Sequence, residues 1–315
     1  MKRLYVLIIC VPALMCTYAQ EKIEIFPFGN MDSWAVRRIK ESLIIGGDYK
    51  SLYMIAPKDS VNGIKPVPKW GASPWGSSNA YAKVMGVETV SVTVKPEKRG
   101  SGYCCKMQTE LQSVSSVGMD IKTLVTGSIY TGRLIVDPVT LEYSSKPNSA
   151  IDMGVPFKKR PKALILDYKA HIMNSGIVFA NAAASVTKKS GKDAGQILLF
   201  LQHRWEENGH IYAYRVGTAT EHITHSTSGW INNHRLNIRY GDISKQSGFQ
   251  PWEKLTKTQY RARNKQGRMV YIEERGFRND VEPTHIIIMV SSGSQAPFSG
   301  CPGNTVWCDN IRLAY

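Results

Sequence analysis

Ile286-Ile287-Ile288-Met289-Val290 is the stretch that decides the fold of this chain of 315 residues. The run is too short to span a membrane, and its β-branched residues favour a strand that is buried on both faces. Gly and Pro residues at 293–303 then predict a compact loop. From Thr305 to Tyr315 apolar and polar side chains alternate, which predicts a final strand inside a sheet. We therefore expect an all-β fold, a β-sandwich of the jelly-roll type.

Strand patterns also fill the region before this ending. Alternation of period two occurs at 90–95, at 164–171 and at 236–240. The strongest local pattern is Gln196 to Gly217, where Asn208-Gly209 separates two apolar runs and predicts a hairpin. Helix is suggested only at Trp34–Leu43 and Val114–Thr123. Lys245 to Asp280 has the least pattern, and we interpret it as a long loop of the kind that often carries binding specificity.

The first nineteen residues have the pattern of an export signal. Lys2 and Arg3 precede an apolar run, and Thr17-Tyr18-Ala19 is a small-x-small cleavage site. We expect cleavage near Ala19 and a single jelly-roll domain over residues 20–315. The mature protein would then be periplasmic, at the cell surface or extracellular. Processing as a lipoprotein at Cys16 is the weaker alternative, because Leu14-Met15 is bulkier than such sites tolerate.

The chain is basic, with a net charge of +15. A basic surface suits an anionic membrane surface or an acidic polysaccharide, and for an exported protein we expect no nucleic-acid partner. The charge is spread along the chain, so it also fits a soluble basic surface without a specific partner.

Four cysteines follow the expected cleavage site, and an oxidising compartment would allow disulfides. Cys104 and Cys105 are adjacent and would point to opposite faces of a strand, which disfavours a bond between them. Cys301 and Cys308 could be bridged across a hairpin. The sequence leaves the connectivity open.

Six short phrases follow one another along the chain: Ser73-Pro-Trp-Gly-Ser-Ser-Asn79, Gly127-Ser-Ile-Tyr-Thr-Gly132, Gly154-Val-Pro-Phe157 with Arg160-Pro161, Asp167-Tyr-Lys169, Ser291-Ser292 with Phe298-Ser-Gly300, and Val306-Trp-Cys-Asp-Asn310. In this order they resemble the putative carbohydrate metabolism domain family of Bacteroidetes. The resemblance runs from about Phe28 to Tyr315, and Cys105 and Cys301 depart from the commoner small or apolar residues. It implies a jelly roll similar to those of glycoside hydrolases and carbohydrate-binding modules, with a pocket for sugars; fold does not fix function.

Residues of these phrases suggest a sugar pocket. The indole of Trp75 could stack on a sugar ring, or it could fill the end of the sandwich. Arg160 could bind a carboxylate or vicinal hydroxyls, or it could pair with Asp152 or Asp167. We predict one common pocket for an oligosaccharide or polysaccharide, including acidic ones, lined by Trp75, Asn79, Arg160, Lys169, Ser291 and Ser292.

Carboxylates offer two further hypotheses. Asp32 and Asp309 could hold a structural Ca²⁺ where the first and last strands meet, since calcium prefers oxygen ligands. Asp309 could instead be a polar residue at the beginning of a strand, without a metal. A glycosidase needs two carboxylates across its substrate, and no clear pair stands out among Glu110, Asp167, Glu206, Glu207, Glu273 and Glu274.

The sequence therefore predicts an exported glycan-binding protein of a carbohydrate-utilisation system without catalytic activity of its own. A glycoside hydrolase with an unidentified carboxylate pair is the first alternative. A structural or assembly protein of the cell surface is the second.

Overall fold

The computed structural model describes the chain from residue 21 onward, apart from short internal gaps. The expected export signal at 1–19 lies outside the described residues, as does Cys16. The described ranges are 21–65, 70–116, 119–140, 142, 146, 148–183 and 185–315.

The described fold is all-β, with three short 3₁₀ turns at Leu43–Ile45, Trp70–Ala72 and Pro251–Glu253. In the first half of the chain the strands are β1 (Ile23–Ile25), β2 (Trp34–Lys40), β3 (Tyr49–Ile55), β4 (Asp59–Asn62), β5 (Trp75–Ser77), β6 (Ala80–Val84), β7 (Val87–Ser91), β8 (Val94–Arg99), β9 (Gly102–Gln108), β10 (Glu110–Ser116), β11 (Met119–Val125), β12 (Ser128–Leu134), β13 (Ile151–Met153) and β14 (Val155–Pro156). In the second half they are β15 (Ala163–His171), β16 (Ile177–Phe179), β17 (Asn181–Ala183), β18 (Thr187–Lys189), β19 (Gly195–Glu207), β20 (His210–Ile223), β21 (Ile231–Asn237), β22 (Arg239–Tyr240), β23 (Arg261–Arg263), β24 (Met269–Phe277), β25 (His285–Ser291), β26 (Ser299–Gly300) and β27 (Thr305–Ala314).

Two large sheets form a jelly-roll-like β-sandwich. One has the strand order β21-β15-β27-β9-β8, with β1 also paired to β27, and the other follows the path β14-β25-β19-β20-β24-β23-β13-β12-β5. Their facing sides share one apolar core, to which the first sheet contributes Leu164 and Cys308 and the second Leu199 and Ile288. The predicted final strand is confirmed as β27, inside the first sheet between β15 and β9. The Ile286–Val290 run is confirmed as β25, with Ile286, Ile287, Ile288 and Val290 fully buried.

The second sheet also closes on itself. β25 pairs with β19 on one side and with β12 on the other, so β25, β19, β20, β24, β23, β13 and β12 form a ring. All seven strands contribute side chains to a second apolar core, among them Tyr130, Phe200, Ile211 and Ile287. We call this arrangement the strand ring. Its importance is that one end of it bounds the largest groove described below.

Local sequence patterns account for several of these elements. The predicted hairpin is β19–β20, and both Asn208 and Gly209 have positive φ, at 52° and 77°. Positive φ at both central residues is the requirement of a type I′ turn, which Asn-Gly meets at low cost. The strand around Leu164–Ala170 is also confirmed, with Tyr168 in the sandwich core.

Both suggested helices are wrong. Trp34–Leu43 contains β2, which pairs with β3 and β4, and Val114–Thr123 contributes to the hairpin of β10 and β11. In each case strand pairing with distant or neighbouring residues overrides a weak local preference. Among the described residues no helix is long and apolar enough to cross a membrane.

The four described cysteines are free thiols, and all of them are buried. Cys105 lies directly opposite Cys308 on β9 and β27. Cys301 instead contacts the hydroxyl of Ser175, with 2.9 Å between sulfur and oxygen. The bridge considered between Cys301 and Cys308 is therefore not formed, because the strand register brings Cys308 to Cys105.

Candidate functional site

A surface groove of about 630 Å³ opens at one end of the strand ring. Its floor includes Tyr130, Leu198 and Met289 from three neighbouring strands of the ring. Trp252 and Tyr260, which line it from the side, belong to the segment that follows β22. We call this space the sheet groove. Concave sites with apolar walls and a few polar groups are the usual form of small-ligand sites, and the mouth of a barrel is a common position for one.

Trp252 presents the main aromatic surface at this groove. Its side chain is 38% exposed, and its ring stacks on the imidazole of His222 with centroids 3.8 Å apart and an interplanar angle of 13°. His222 is held in turn by Gln196, whose Nε2 lies 3.1 Å from the imidazole Nε2. One indole face is thus supported by the protein, which fixes the ring's orientation before a ligand arrives.

The turn that carries Trp252 is anchored by a buried carboxylate. Pro251–Glu253 is a 3₁₀ turn with a capping box, in which the Gln250 backbone N–H donates to Glu253 at 2.9 Å. Glu253 also accepts a hydrogen bond from the Thr220 hydroxyl at 2.6 Å and forms an ion pair with Arg239. These bonds tie the long loop to β20 and β22, so the position of Trp252 is built into the fold.

The described lining of the groove includes the cation Lys146 and no carboxylate. Burial lowers the pKa of His222 below its ordinary value, against a smaller opposing effect of Asp193. The imidazole is therefore uncharged at neutral pH and can accept a hydrogen bond from Gln196. The Tyr130 hydroxyl donates to the carbonyl of Ser77 at 3.2 Å, and burial raises its pKa, so it stays protonated.

Two of the sequence-predicted site residues belong to the packed interior. Trp75 is 3% exposed, its indole N–H donates to the carbonyl of Pro27 at 2.8 Å, and its ring packs edge-on against Phe26. Asn79 is 5% exposed, and its amide bonds the backbone of Tyr53, Thr93 and Val94. The structure therefore corrects the picture of Trp75 as an exposed stacking surface: its second interpretation, filling the end of the sandwich, describes what is observed.

The predicted serines are also engaged internally. Ser291 lies at the sheet groove, but its hydroxyl donates to the carbonyl of Gly293 at 2.8 Å. The Ser292 hydroxyl is fully buried and bonds Thr109 at 2.8 Å and the carbonyl of Gly127 at 3.1 Å. Both hydroxyls thus stabilise the loop that follows β25, and Ser291 is the predicted site residue that the structure brings to the groove.

Arg160 and Lys169 lie elsewhere on the surface. Arg160 donates to the carbonyls of Val281 and Asn279, at 3.0 and 3.2 Å, so neither of the carboxylates considered for it is its partner. The ammonium of Lys169 lies 4.1 Å from the ring centre of Trp307, on the outer face of the first sheet. The six residues therefore do not line one cavity.

The two aspartates proposed for calcium have other partners. Asp32 accepts a hydrogen bond from the backbone N–H of Tyr103 at 2.8 Å. Asp309 pairs with Arg99 at 2.6 Å, and Arg99 also pairs with Asp167 at 3.0 Å. A guanidinium thus supplies the positive charge at Asp309, and burial raises the pKa of that carboxyl. Within the described ranges, no cluster of three or more His, Cys, Asp or Glu side chains could hold a metal ion.

Four of the six carboxylates considered for hydrolysis are held by close partners. Glu274 is fully buried against Arg215, and Glu273 pairs with Arg275 at 2.6 Å. Asp167 pairs with Arg99 and Arg312, and Glu206 accepts from the backbone N–H of Lys265. Of the described carboxylates, none lines the sheet groove.

Sequence reasoning missed the residues that build this groove. Gln196 and His222 lie at the ends of β19 and β20, and their register pairing brings them together. Trp252 reaches them from a loop whose path has no periodic pattern. One sequence signal pointed to them: the unpatterned stretch after Lys245 is predicted to be a loop that determines binding specificity. Trp252 and Tyr260 lie in this stretch and line the groove.

Comparisons with known proteins identify one matching family and similar solved structures. A family model described as putative carbohydrate metabolism domain matches residues 51–314. A solved structure of a putative glycoside hydrolase from Bacteroides thetaiotaomicron is similar, with a TM-score of 0.50 and 17% identity over 89% of this chain and 70% of that chain. Another putative glycoside hydrolase, from Bacteroides vulgatus, has a TM-score of 0.46 and 15% identity over 92% of this chain and 96% of that chain. At such identities the likeness concerns the fold alone. A comparison with curated proteins gives no match.

Proposed function

Since this chain belongs to the putative carbohydrate metabolism domain family, we propose that it is a glycan-binding protein that holds a sugar in the sheet groove without cleaving it. The single observation that carries the proposal is Trp252, which lines the groove, is 38% exposed and stacks on His222. Sugar rings have apolar C–H faces that pack on an indole, and their hydroxyls need a few fixed amide and hydroxyl partners. Gln196 and the groove backbone supply such partners.

The choice of binding over hydrolysis rests on how the nearby carboxylates are used. Glu253 is 1% exposed, and its carboxylate oxygens accept hydrogen bonds from Thr220, Arg239 and the backbone N–H of Gln250. Glu221 bonds His234 at 2.7 Å. A glycosidase needs one carboxyl group to protonate the leaving oxygen and a second to act as base or nucleophile, and carboxylates held in this way are poorly placed for either role.

The same proposal covers the setting of the protein. An export signal at residues 1–19 and a sugar-binding groove together suit a carbohydrate-utilisation system outside the cytoplasm. The net charge, +15 for the full chain and +13 once Lys2 and Arg3 are removed with the signal, favours association with acidic polysaccharides and anionic cell surfaces in a salt-dependent way. The rival functions are a glycoside hydrolase and a structural protein of the cell surface.

One experiment separates these three functions. The purified protein is applied to a broad glycan array, and the same glycans are incubated with it and analysed for released sugars. We expect binding to a defined glycan class and no release. Sugar release by the purified protein, and not by a preparation made in the same way from cells that lack it, would establish the hydrolase instead. Absence of binding and release across the panel would favour the structural role.

A further inference from the structure

A second space adjoins the sheet groove. It has a volume of about 420 Å³ and lies between two hairpins, β6–β7 and β10–β11. The hairpins contribute aliphatic side chains to it, of which Val84, Val114 and Ile121 are partly exposed and Val87 and Val90 are buried. They also contribute polar residues: Thr89, Ser91, Glu110, Gln112, Ser113 and Thr123. We call this space the aliphatic cleft.

The two spaces share a wall. Ser78, Ala80, Val125, Val139 and Phe298 line both the sheet groove and the aliphatic cleft. The groove and the cleft therefore adjoin each other along these residues, and a ligand that occupied both would pass over them.

The two ends of this continuous site differ in chemistry. The groove end presents the indole of Trp252 and the amide of Gln196. In the cleft, Val114 and Ile121 are direct cross-strand partners on β10 and β11, and both side chains remain partly exposed. A contiguous exposed aliphatic surface is costly in water and commonly marks a place that a ligand or partner covers.

The charge at the cleft points to a neutral occupant. The ammonium of Lys50 is already paired with Glu41 at 3.0 Å. Glu110 also lines the cleft, and the amide of Gln112 lies 3.5 Å from its carboxylate. A free fatty acid would bring its anion to a cation that is already neutralised, whereas an alkyl or acyl chain attached through a neutral linkage brings no charge.

We propose that the natural ligand is a glycan that bears an aliphatic chain, with its sugar against Trp252 and its chain in the aliphatic cleft. This inference rests on the proposed function, because the sugar end is the same groove. It adds the chemical class of the ligand, a glycolipid-like or alkyl glycoside. Affinity should then increase with chain length, because each buried methylene improves binding by about fourfold.

The test uses hexyl, octyl and decyl β-maltosides below their micelle-forming concentrations, with maltose as the chain-free probe. Binding is measured by calorimetry. We expect affinity to rise at each step of chain length until the cleft is full. Equal affinity across the series would overturn the inference. The proposed function would then stand or fall separately on the glycan array, which requires no chain.

A pair of matched variants locates the effect. Ile121→Ser removes an aliphatic side chain from the cleft, while Leu111→Ser removes one from the same hairpin at a position outside it, where the side chain is 41% exposed. Ile121→Ser should flatten the chain-length series, and Leu111→Ser should leave it unchanged. Circular dichroism confirms that both variants are folded. A chain-length dependence that persists in folded Ile121→Ser would show that the chain binds elsewhere and would contradict the proposal.

Discussion

The indole of Trp252 lies almost parallel to the imidazole of His222, with ring centroids 3.8 Å apart. The two residues come from different elements, the turn Pro251–Glu253 and β20. Their contact therefore depends on the buried Glu253, which fastens the turn to Thr220. Burial also lowers the pKa of His222, so the imidazole is uncharged at neutral pH. Because the imidazole covers one face of the indole, the other face is left for a ligand.

Trp75→Ala should destabilise the protein rather than remove a sugar contact. The side chain is 3% exposed, packs on Phe26 and donates to Pro27. Emptying such a position costs about 3–5 kcal/mol of unfolding free energy. Urea denaturation measures the loss. The folded fraction of the variant should bind glycan as the parent does. A large loss of affinity with unchanged stability would show instead that Trp75 contacts the glycan.

Glu274→Ala should be strongly destabilising, since it leaves the buried guanidinium of Arg215 without its carboxylate. Both side chains are fully buried, and Glu274 also accepts from Gln202 at 2.7 Å. Breaking a buried pair in this way costs about 3–5 kcal/mol. The neighbouring Glu273→Ala is the matched control, because its ion pair with Arg275 is exposed and contributes less than about 1 kcal/mol. Similar unfolding free energies for the two variants would refute the structural role of Glu274.

His285 should make stability depend on pH. Burial, together with the nearby charge of Arg204, lowers its pKa to about 3 in the folded protein. Between the ordinary pKa near 6.5 and that value, the unfolded chain binds a proton that the folded chain does not, so stability falls as pH falls. Between pH 7 and pH 5 the unfolding free energy should fall by roughly 1–2 kcal/mol because of His285.

His285→Asn should reduce this dependence, as measured by denaturation at several pH values. His225 is exposed and contacts the hydroxyl of its preceding threonine, as His285 does. His225→Asn is therefore the matched control and should keep the parent profile. An unchanged pH profile in folded His285→Asn would contradict the assignment.

Local patterns were sufficient to predict much of the sandwich. The β-branched run of β25, the alternation of β27 and the Asn208-Gly209 turn each depend on residues close together in the chain, and each was confirmed. The helix suggested at Trp34–Leu43 was wrong because β2 is stabilised by pairing with β3 and β4, which no local pattern shows.

The candidate site could not be predicted in the same way. Exposure of Trp75 and Trp252 cannot be read from their local sequences, since each directly follows a proline in a segment without a periodic pattern. Trp75 is covered by Phe26 and Pro27, which reach it across about fifty residues of chain, and Trp252 remains partly exposed because β20 supports only one of its faces. Long-range packing decides which indole is available.

The most direct test of the account is calorimetric affinity for the glycan found on the array, measured for the parent, Trp252→Ala and Trp205→Ala. Trp205 is the control because it is a partly exposed tryptophan on the β19–β20 hairpin that does not line the groove. Trp252→Ala should weaken binding by at least about tenfold, equivalent to about 1.4 kcal/mol, with stability within about 1 kcal/mol of the parent. Trp205→Ala should bind as the parent does. Parent-like affinity in folded Trp252→Ala would contradict the claim that the sheet groove binds the glycan.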